Sequence, residues 1–314
     1  MGEALYLIIG GLKHEHALIF AASSVLLQVF VPDHRYAPIL KCLTLVLFLY
    51  VAVAFTIEIP WRAVLAGTVL PTISLNHDYL LLVVAVLGTT ISPYLFFWQA
   101  SQEVEEMQSE RSRPRLPLKI LTRGGGSELT RMTVDTTIGM LFSNIIAYFI
   151  IVATASTLHA RGITQIQTAA QAAEALRPIA GDLAFILFAL GIIGTGLLAI
   201  PVLAGSAAYA VAEVFGWPST LEAKFPEAIG FYAIILAATI IGFAMGFLPI
   251  QLLVWTAVIN GIVAVPIMAV MMLIVTNREA MGRFQARPTL AGAGWGATAL
   301  MGVTVIALLW SLLP

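Results

Sequence analysis

The fold is decided by residues 78–106, DYLLLVVAVLGTTISPYLFFWQASQEVEE. The stretch is apolar and long enough to cross a bilayer, yet its middle reads Gly88-Thr89-Thr90-Ile91-Ser92-Pro93-Tyr94. Proline lacks an N–H and clashes with the preceding turn, and glycine adds backbone freedom. The composition therefore predicts that residues 88–93 leave helical geometry while both flanks stay helical. In lipid, broken backbone is tolerated only where protein or a water-filled cavity satisfies its polar groups. Discontinuous helices of this kind form the substrate sites of many secondary transporters. Two readings stand at this point: a proline kink rescued by Ser and Thr, or an ion or substrate site.

Working outward, composition sets the class. The chain is 60% hydrophobic and 11% charged with mean hydropathy +0.94, whereas soluble domains carry about 25% charged residues. An integral membrane protein of lipid-spanning helices follows. Its net charge of −1 implies no particular partner. The single cysteine, Cys42, excludes an internal disulfide, and no zinc-type Cys/His cluster is present in the sequence. The amino-terminal MGEALYLIIGGLKHEH lacks a basic leader and a cleavage site.

Eight apolar segments are candidate spans: 16–31, 36–59, 78–104, 133–158, 182–214, 228–247, 250–275 and 293–312. If the first runs from outside to inside, Arg35, Lys41, Arg111, Arg113, Arg115, Lys119, Arg123, Arg131, Lys224, Arg278, Arg283 and Arg287 lie inside. Only Lys13, Arg62, Arg161 and Arg177 then lie outside, a positive-inside bias. A basic cytosolic loop is expected over 105–132 and an amphipathic outer segment over 160–181, within one transmembrane domain of residues 1–314 in a cell (inner) membrane. The loop RSRPRLPLKILTRGGGSELTR (111–131) has no aromatic residue, which argues against nucleic acid and for anionic headgroups or topology signalling. This orientation places the first residue outside with no signal sequence, so the chain reads as the remainder of a longer protein.

The segment GTTISPYLFFWQASQEVEE resembles the sixth helix of the Nramp divalent metal transporters, and more closely the Nramp-related bacterial branch that includes magnesium transporters. SSVLLQVFVPDHRYAPILKCLTLVLFLYVAVAF, DTTIGMLFSNIIAYFIIVATASTLH, GIIGTGLLAIPVLAGSAAYAVAE and WTAVINGIVAVPIMAVMMLIVTNR are similar as well. The resemblance implies a LeuT-like inverted-repeat fold, of which these eight spans are helices four to eleven. It also implies that three leading helices, with the family's Asp-Pro-Gly-Asn motif, are absent here and could reside on a separate fragment. Pro93 matches the proline of the family's Met-Pro-His-Asn motif. Ser92 then stands at the methionine, Tyr94 at the first histidine, Gln99 at a second histidine, and Thr89 at a carbonyl ligand.

Oxygen ligands suit magnesium, calcium and manganese, whereas thioether sulfur selects softer ions. Thr89, Thr90, Ser92, Tyr94 and Gln99, with Asn260 on the tenth family helix, are the candidate metal residues. For Ser92 the alternative is a local backbone hydrogen bond; for Asn260 and Asn144 it is helix packing. Without the two histidines, proton coupling is not expected. Asp135 reads as a helix-start acid, and Glu103, Glu105 and Glu106 as a solvated helix end at the inner mouth. Gly194-Thr195-Gly196 and Pro201 interrupt the apolar run of span 182–214, and close helix packing together with a kink is the expected explanation. His14, His16, His34, His77 and His159 lie in loops or at helix ends, unpaired at catalytic spacing, so no enzyme and no cofactor is expected. The reading is an all-α polytopic membrane protein that moves magnesium or manganese through the bilayer by alternating access. An amino-acid or organocation carrier of the same fold, and a non-transporting fragment, are the alternatives.

Overall fold

The structure is a computed structural model that describes residues 1–30, 43–109, 125–163, 166, 168–218, 221, 225–245 and 251–312. Among them there are helices and no strand. In chain order these are α1 (Gly2–Ile9), α2 (Lys13–Phe30), α3 (Phe48–Thr56, entered through a 3-10 turn Leu45–Leu47) and α4 (Trp61–Val69). Then follow α5 (His77–Thr90), α6 (Pro93–Ser109), α7 (Gly125–Thr157), α8 (Ala169–Phe215), α9 (Ile229–Met245), α10 (Gln251–Thr276), α11 (Arg278–Met281) and α12 (Pro288–Ser311).

Five helical stretches are long and apolar enough to cross a membrane: His77–Glu105, Leu129–Arg161, Gly181–Phe215, Leu252–Thr276 and Pro288–Ser311. The bent pair Leu45–Thr56 and Trp61–Val69 makes a sixth if it counts as one span. The chain is thus an all-α polytopic membrane protein. The expected first span is helical, as α2, but Lys-His-Glu-His in its opening turn keeps it out of this set. α9 has 17 residues, about 25 Å at 1.5 Å per residue, short of a core of about 30 Å. Arg35, Lys41, Cys42, His34, Lys224 and the basic residues 111–123 lie outside the described residues, as does the start of span 36–59.

The chain forms two compact units. The first comprises Met1–Pro71 and Phe142–Ile250. Its core gathers Tyr50, Val53, Ile146, Phe185, Phe188 and Ala189. The Tyr50 and Phe188 rings meet edge to face at 5.3 Å, the arrangement aromatic quadrupoles favour. Further along α8, Tyr209 meets Phe231 of α9 at 5.0 Å, seated by the small, buried Ala204, Ser206, Ala208 and Ala212.

Of the packing and kink expected at Gly194–Gly196 and Pro201, the kink is not found there. The only non-helical residue inside α8 is Gly181, at φ 85°, where a Cβ would be strained. Arg177 and Asp182 pair across that kink at 2.5 Å. The packing is found: a Cβ on Gly191 would strike the Tyr50 ring, and one on Gly194 the Val46 side chain. Thr195 donates back to Gly191 O (2.8 Å), which keeps its hydroxyl satisfied within the helix. The outer amphipathic segment is helical from Ala169 and runs into this kink; residues 164, 165 and 167 lie outside the described set.

The second unit comprises Thr72–Leu141 and Gln251–Pro314. α5, α10 and α12 share a core of Leu80, Val84, Ala85, Ala257, Val258, Val305 and Leu308. Asn76 caps α5 by accepting from the Tyr79 N–H at 2.9 Å. His77 hydrogen-bonds Ser311 at 3.0 Å, tying the first turn of α5 to the end of α12. Asp135 is not at a helix start, because α7 begins at Gly125. Thr133 and Thr137 bond back to the Leu129 and Thr133 carbonyls, so their hydroxyls do not compete with the helix.

Candidate functional site

The break between α5 and α6 is narrower than residues 88–93. Gly88, Thr89 and Thr90 remain helical, and only Ile91 and Ser92 leave the helix. Ile91 has φ −106° and ψ 69°, although its N–H still reaches Leu87 O at 2.7 Å. Pro93 then opens α6, the position where a missing N–H is harmless and the fixed φ is already helical. Residue 92, preceding the proline, is sterically disfavoured in the helical region, so the interruption falls on the two residues before Pro93.

The hydroxyls explain why the helix persists so far. Thr89 and Thr90 both donate to Val86 O, each at 2.8 Å. Ser92 is 1% exposed. Its hydroxyl lies 2.8 Å from Thr89 O and 3.2 Å from Gly88 O. It thus takes the place of the N–H that Pro93 cannot offer. No backbone N–H among the described residues reaches Thr90 O or Ile91 O. These two carbonyls, with the lone pairs of the Ser92 oxygen, are the oxygen donors left open at the break.

Gly88 has a second role that the composition of the break did not reveal. A Cβ there would collide with Ala257 O and come within 2.5 Å of Gly261 N. A Cβ on Gly261 would come within 2.8 Å of Val84 O. α5 and α10 therefore cross backbone on backbone, one turn before the break. This contact holds α10 against the last turns of α5, with Asn260 next to Gly261 in the chain. Asn260 is half-buried, as is Tyr94 in the first turn of α6.

Gln99 is not brought into that group. It lies six residues beyond Pro93 and donates from Nε2 to Thr136 Oγ1 of α7 at 2.6 Å. One turn further on, Arg131 of α7 pairs with Glu103 at 2.9 Å. Arg131 is exposed, so this pair contributes at most about 1 kcal/mol. The Gln99–Thr136 and Glu103–Arg131 links were not foreseen from sequence; spacings of about one turn on both helices were the only available signal.

The donor set at the break is oxygen only. Among the described residues, no group of three His, Cys, Asp or Glu side chains comes together that could hold a metal ion. Two open carbonyls and a serine oxygen can replace part of a hydration shell. They cannot neutralise a divalent charge, which is strongly disfavoured at membrane depth without a carboxylate.

Residues 1–311 match the sequence profile of a family described as Nramp, natural resistance-associated macrophage protein-like. Three curated proteins similar to the chain are each named "Divalent metal cation transporter MntH". That of Bradyrhizobium diazoefficiens is 26% identical over 298 residues, covering 92% of this chain and 62% of that protein. That of Xanthomonas campestris pv. campestris is 27% identical over 205 residues, covering 63% and 44%. That of Aeromonas hydrophila subsp. hydrophila is 23% identical over 255 residues, covering 79% and 57%. The chain spans 44–62% of the length of these relatives.

Proposed function

The chain belongs to the Nramp family, and from that premise we propose that it forms part of a membrane carrier for divalent metal cations, not an enzyme. The observation that carries this reading is the two-residue interruption at Ile91–Ser92 inside an otherwise membrane-length helix. Such an interruption leaves backbone oxygens open where a dehydrating cation needs them. Thr90 O, Ile91 O and Ser92 Oγ would supply direct or water-mediated ligands, with Asn260 and Tyr94 at the rim. Thr89 supports the site by holding the last turn of α5, and Gln99 by anchoring α6 to α7. The carrier would work by alternating access.

An all-oxygen set favours hard ions, magnesium or manganese, over cadmium. Uptake of these ions into vesicles, by a protein of its relatives' length, tests the proposal. Strong preference for cadmium over magnesium would overturn the hard-ion assignment. Because Ser92 is buried, sulfur is best introduced there as the small Ser92→Cys change. That variant is expected to raise cadmium uptake relative to magnesium by on the order of tenfold, since thiolate ligands select soft ions. An unchanged ratio would remove Ser92 from the ligand set.

Coupling follows from the same residues. Tyr94 and Gln99 stand where the family resemblance places histidines, and neither offers the imidazole that serves as a proton carrier. Metal influx into vesicles loaded with a pH-sensitive dye is expected to proceed without internal acidification. A metal-dependent proton current would assign proton carriage to another group, with Asp135 or Glu103 the first to replace.

A further inference from the structure

We propose that α4 is a membrane-seated helix: its apolar face rests in the lipid interface. The reasons are geometric. α3 ends at Thr56, and the chain turns by 120° before Trp61–Val69. A helix that leaves a membrane-crossing segment at 120° does not continue into water. It points back toward the bilayer, about 30° below the membrane plane if α3 runs along the normal.

The residues fit that placement. Leu65 is 59% exposed, Val69 75% and Leu70 77%, and Trp61 is exposed as well. No charged residue occurs from 63 to 76. Glu58 and Arg62 stand before this stretch and His77 and Asp78 after it, so the charges bracket the part that would touch lipid. Trp61 and Arg62 together are the kind of pair that anchors a segment at headgroup level. An apolar surface of this extent left in water would be unfavourable.

Two further observations name the occupant and the depth. The exposed face of α4 follows directly on that of α3, where Phe48 and Phe55 are also exposed and Phe55 lies 6.4 Å from Phe149 of α7. That surface belongs to a helix pair with the apolar composition of a membrane span, and α4 continues it. The residues after Leu70, up to Asn76, form no helix. Lipid-exposed irregular backbone is excluded from the hydrocarbon region, so α4 reaches the interface and not the midplane. Its polar atom is accounted for: Thr68 donates to Val64 O at 2.8 Å and lies 3.1 Å from the Tyr148 hydroxyl of α7. With the Thr68 proton committed to Val64 O, Tyr148 is the donor of that second bond, which fastens α4 to the bundle.

The test uses the whole 314-residue chain in phosphatidylcholine–phosphatidylglycerol vesicles, with Cys42→Ser and single nitroxide labels at Leu65→Cys, Val69→Cys and Glu58→Cys. Collision rates with oxygen and with a water-soluble nickel chelate give depth. The labels at 65 and 69 are expected to favour oxygen over nickel and report a depth of about 5–10 Å, while the label at 58 reports water. Nickel accessibility at 65 and 69 equal to that at 58 would overturn the proposal. So would protection from both reagents, which would mean that protein, a second copy included, covers this face. The two positions are exposed and independent, so a folding defect confined to one leaves the other to decide. The readout does not involve transport and stands apart from the metal assignment.

Discussion

Replacing Gly88 by alanine is expected to destabilise the fold by about 1–3 kcal/mol, and by valine more, because added methyl groups in a closed contact force backbone shifts. The neighbours of a Cβ at this position are Ala257 O, Gly261 N and Gly261 Cα, all main-chain atoms. No rotamer change relieves such a collision; α5 and α10 must move apart. Their separation would open the shared core around Val84, Ala85, Ala257 and Val258. Gly242→Ala in α9 is the control, since a Cβ there meets nothing within 4 Å and alanine is the better helix former by about 1 kcal/mol. Thermal unfolding in detergent, followed by the loss of the monodisperse elution peak, measures both. Equal midpoints for the two variants would show that the helices are not in backbone contact.

The second large effect is all or none. The 314-residue chain, purified and reconstituted alone, is expected to show no saturable uptake of magnesium or manganese. A hard divalent cation seeks about six oxygen ligands with carboxylate among them. At the break the described residues offer Thr90 O, Ile91 O and Ser92 Oγ, all neutral. Two acids of α6 and α7 are engaged elsewhere: Glu103 is committed to Arg131, and Asp135 is exposed on α7. Vesicle uptake with a divalent-sensitive dye decides the matter. Saturable, metal-dependent entry would mean that these helices hold a counter-charge not identified among the described residues.

What the sequence disclosed, and what it withheld, follows the range of the forces involved. Long apolar runs are a local signal, and among the described residues each of the eight expected spans is mostly helix, the exceptions being 57–59, 91–92 and the end residues 158, 228 and 312. The break was also local, since Pro93 constrains only itself and its predecessor. Its width was overestimated because composition says nothing about where hydroxyls bond: Thr89 and Thr90 prolong α5 by bonding to Val86 O. At Gly194, Gly196 and Pro201 the expected packing is present and only the expected kink is absent, for the same kind of reason. Glycine tolerates many conformations, and in α8 the neighbouring Tyr50 and Val46 select the helical one. α4 was missed because nine residues between a proline and a loop carry no span-length pattern. The Gly88–Gly261 crossing and the Gln99–Thr136 bond are non-local. Each joins residues far apart in sequence, and neither partner alone announces the other.

The brevity of the interruption at Ile91–Ser92 has a mechanical consequence. α6 is a rod of 17 residues, about 25 Å at 1.5 Å per residue, hinged at one end by two residues. Rotating that rod by 10° about the hinge sweeps its far end through about 4 Å, while the oxygens at the hinge itself are scarcely displaced. Small torsional changes in Ile91 and Ser92 are thus geared up toward the membrane surface. Gln99 and Glu103 lie partway along that lever, six and ten residues from Pro93, and their links to α7 act as the stop that limits its swing.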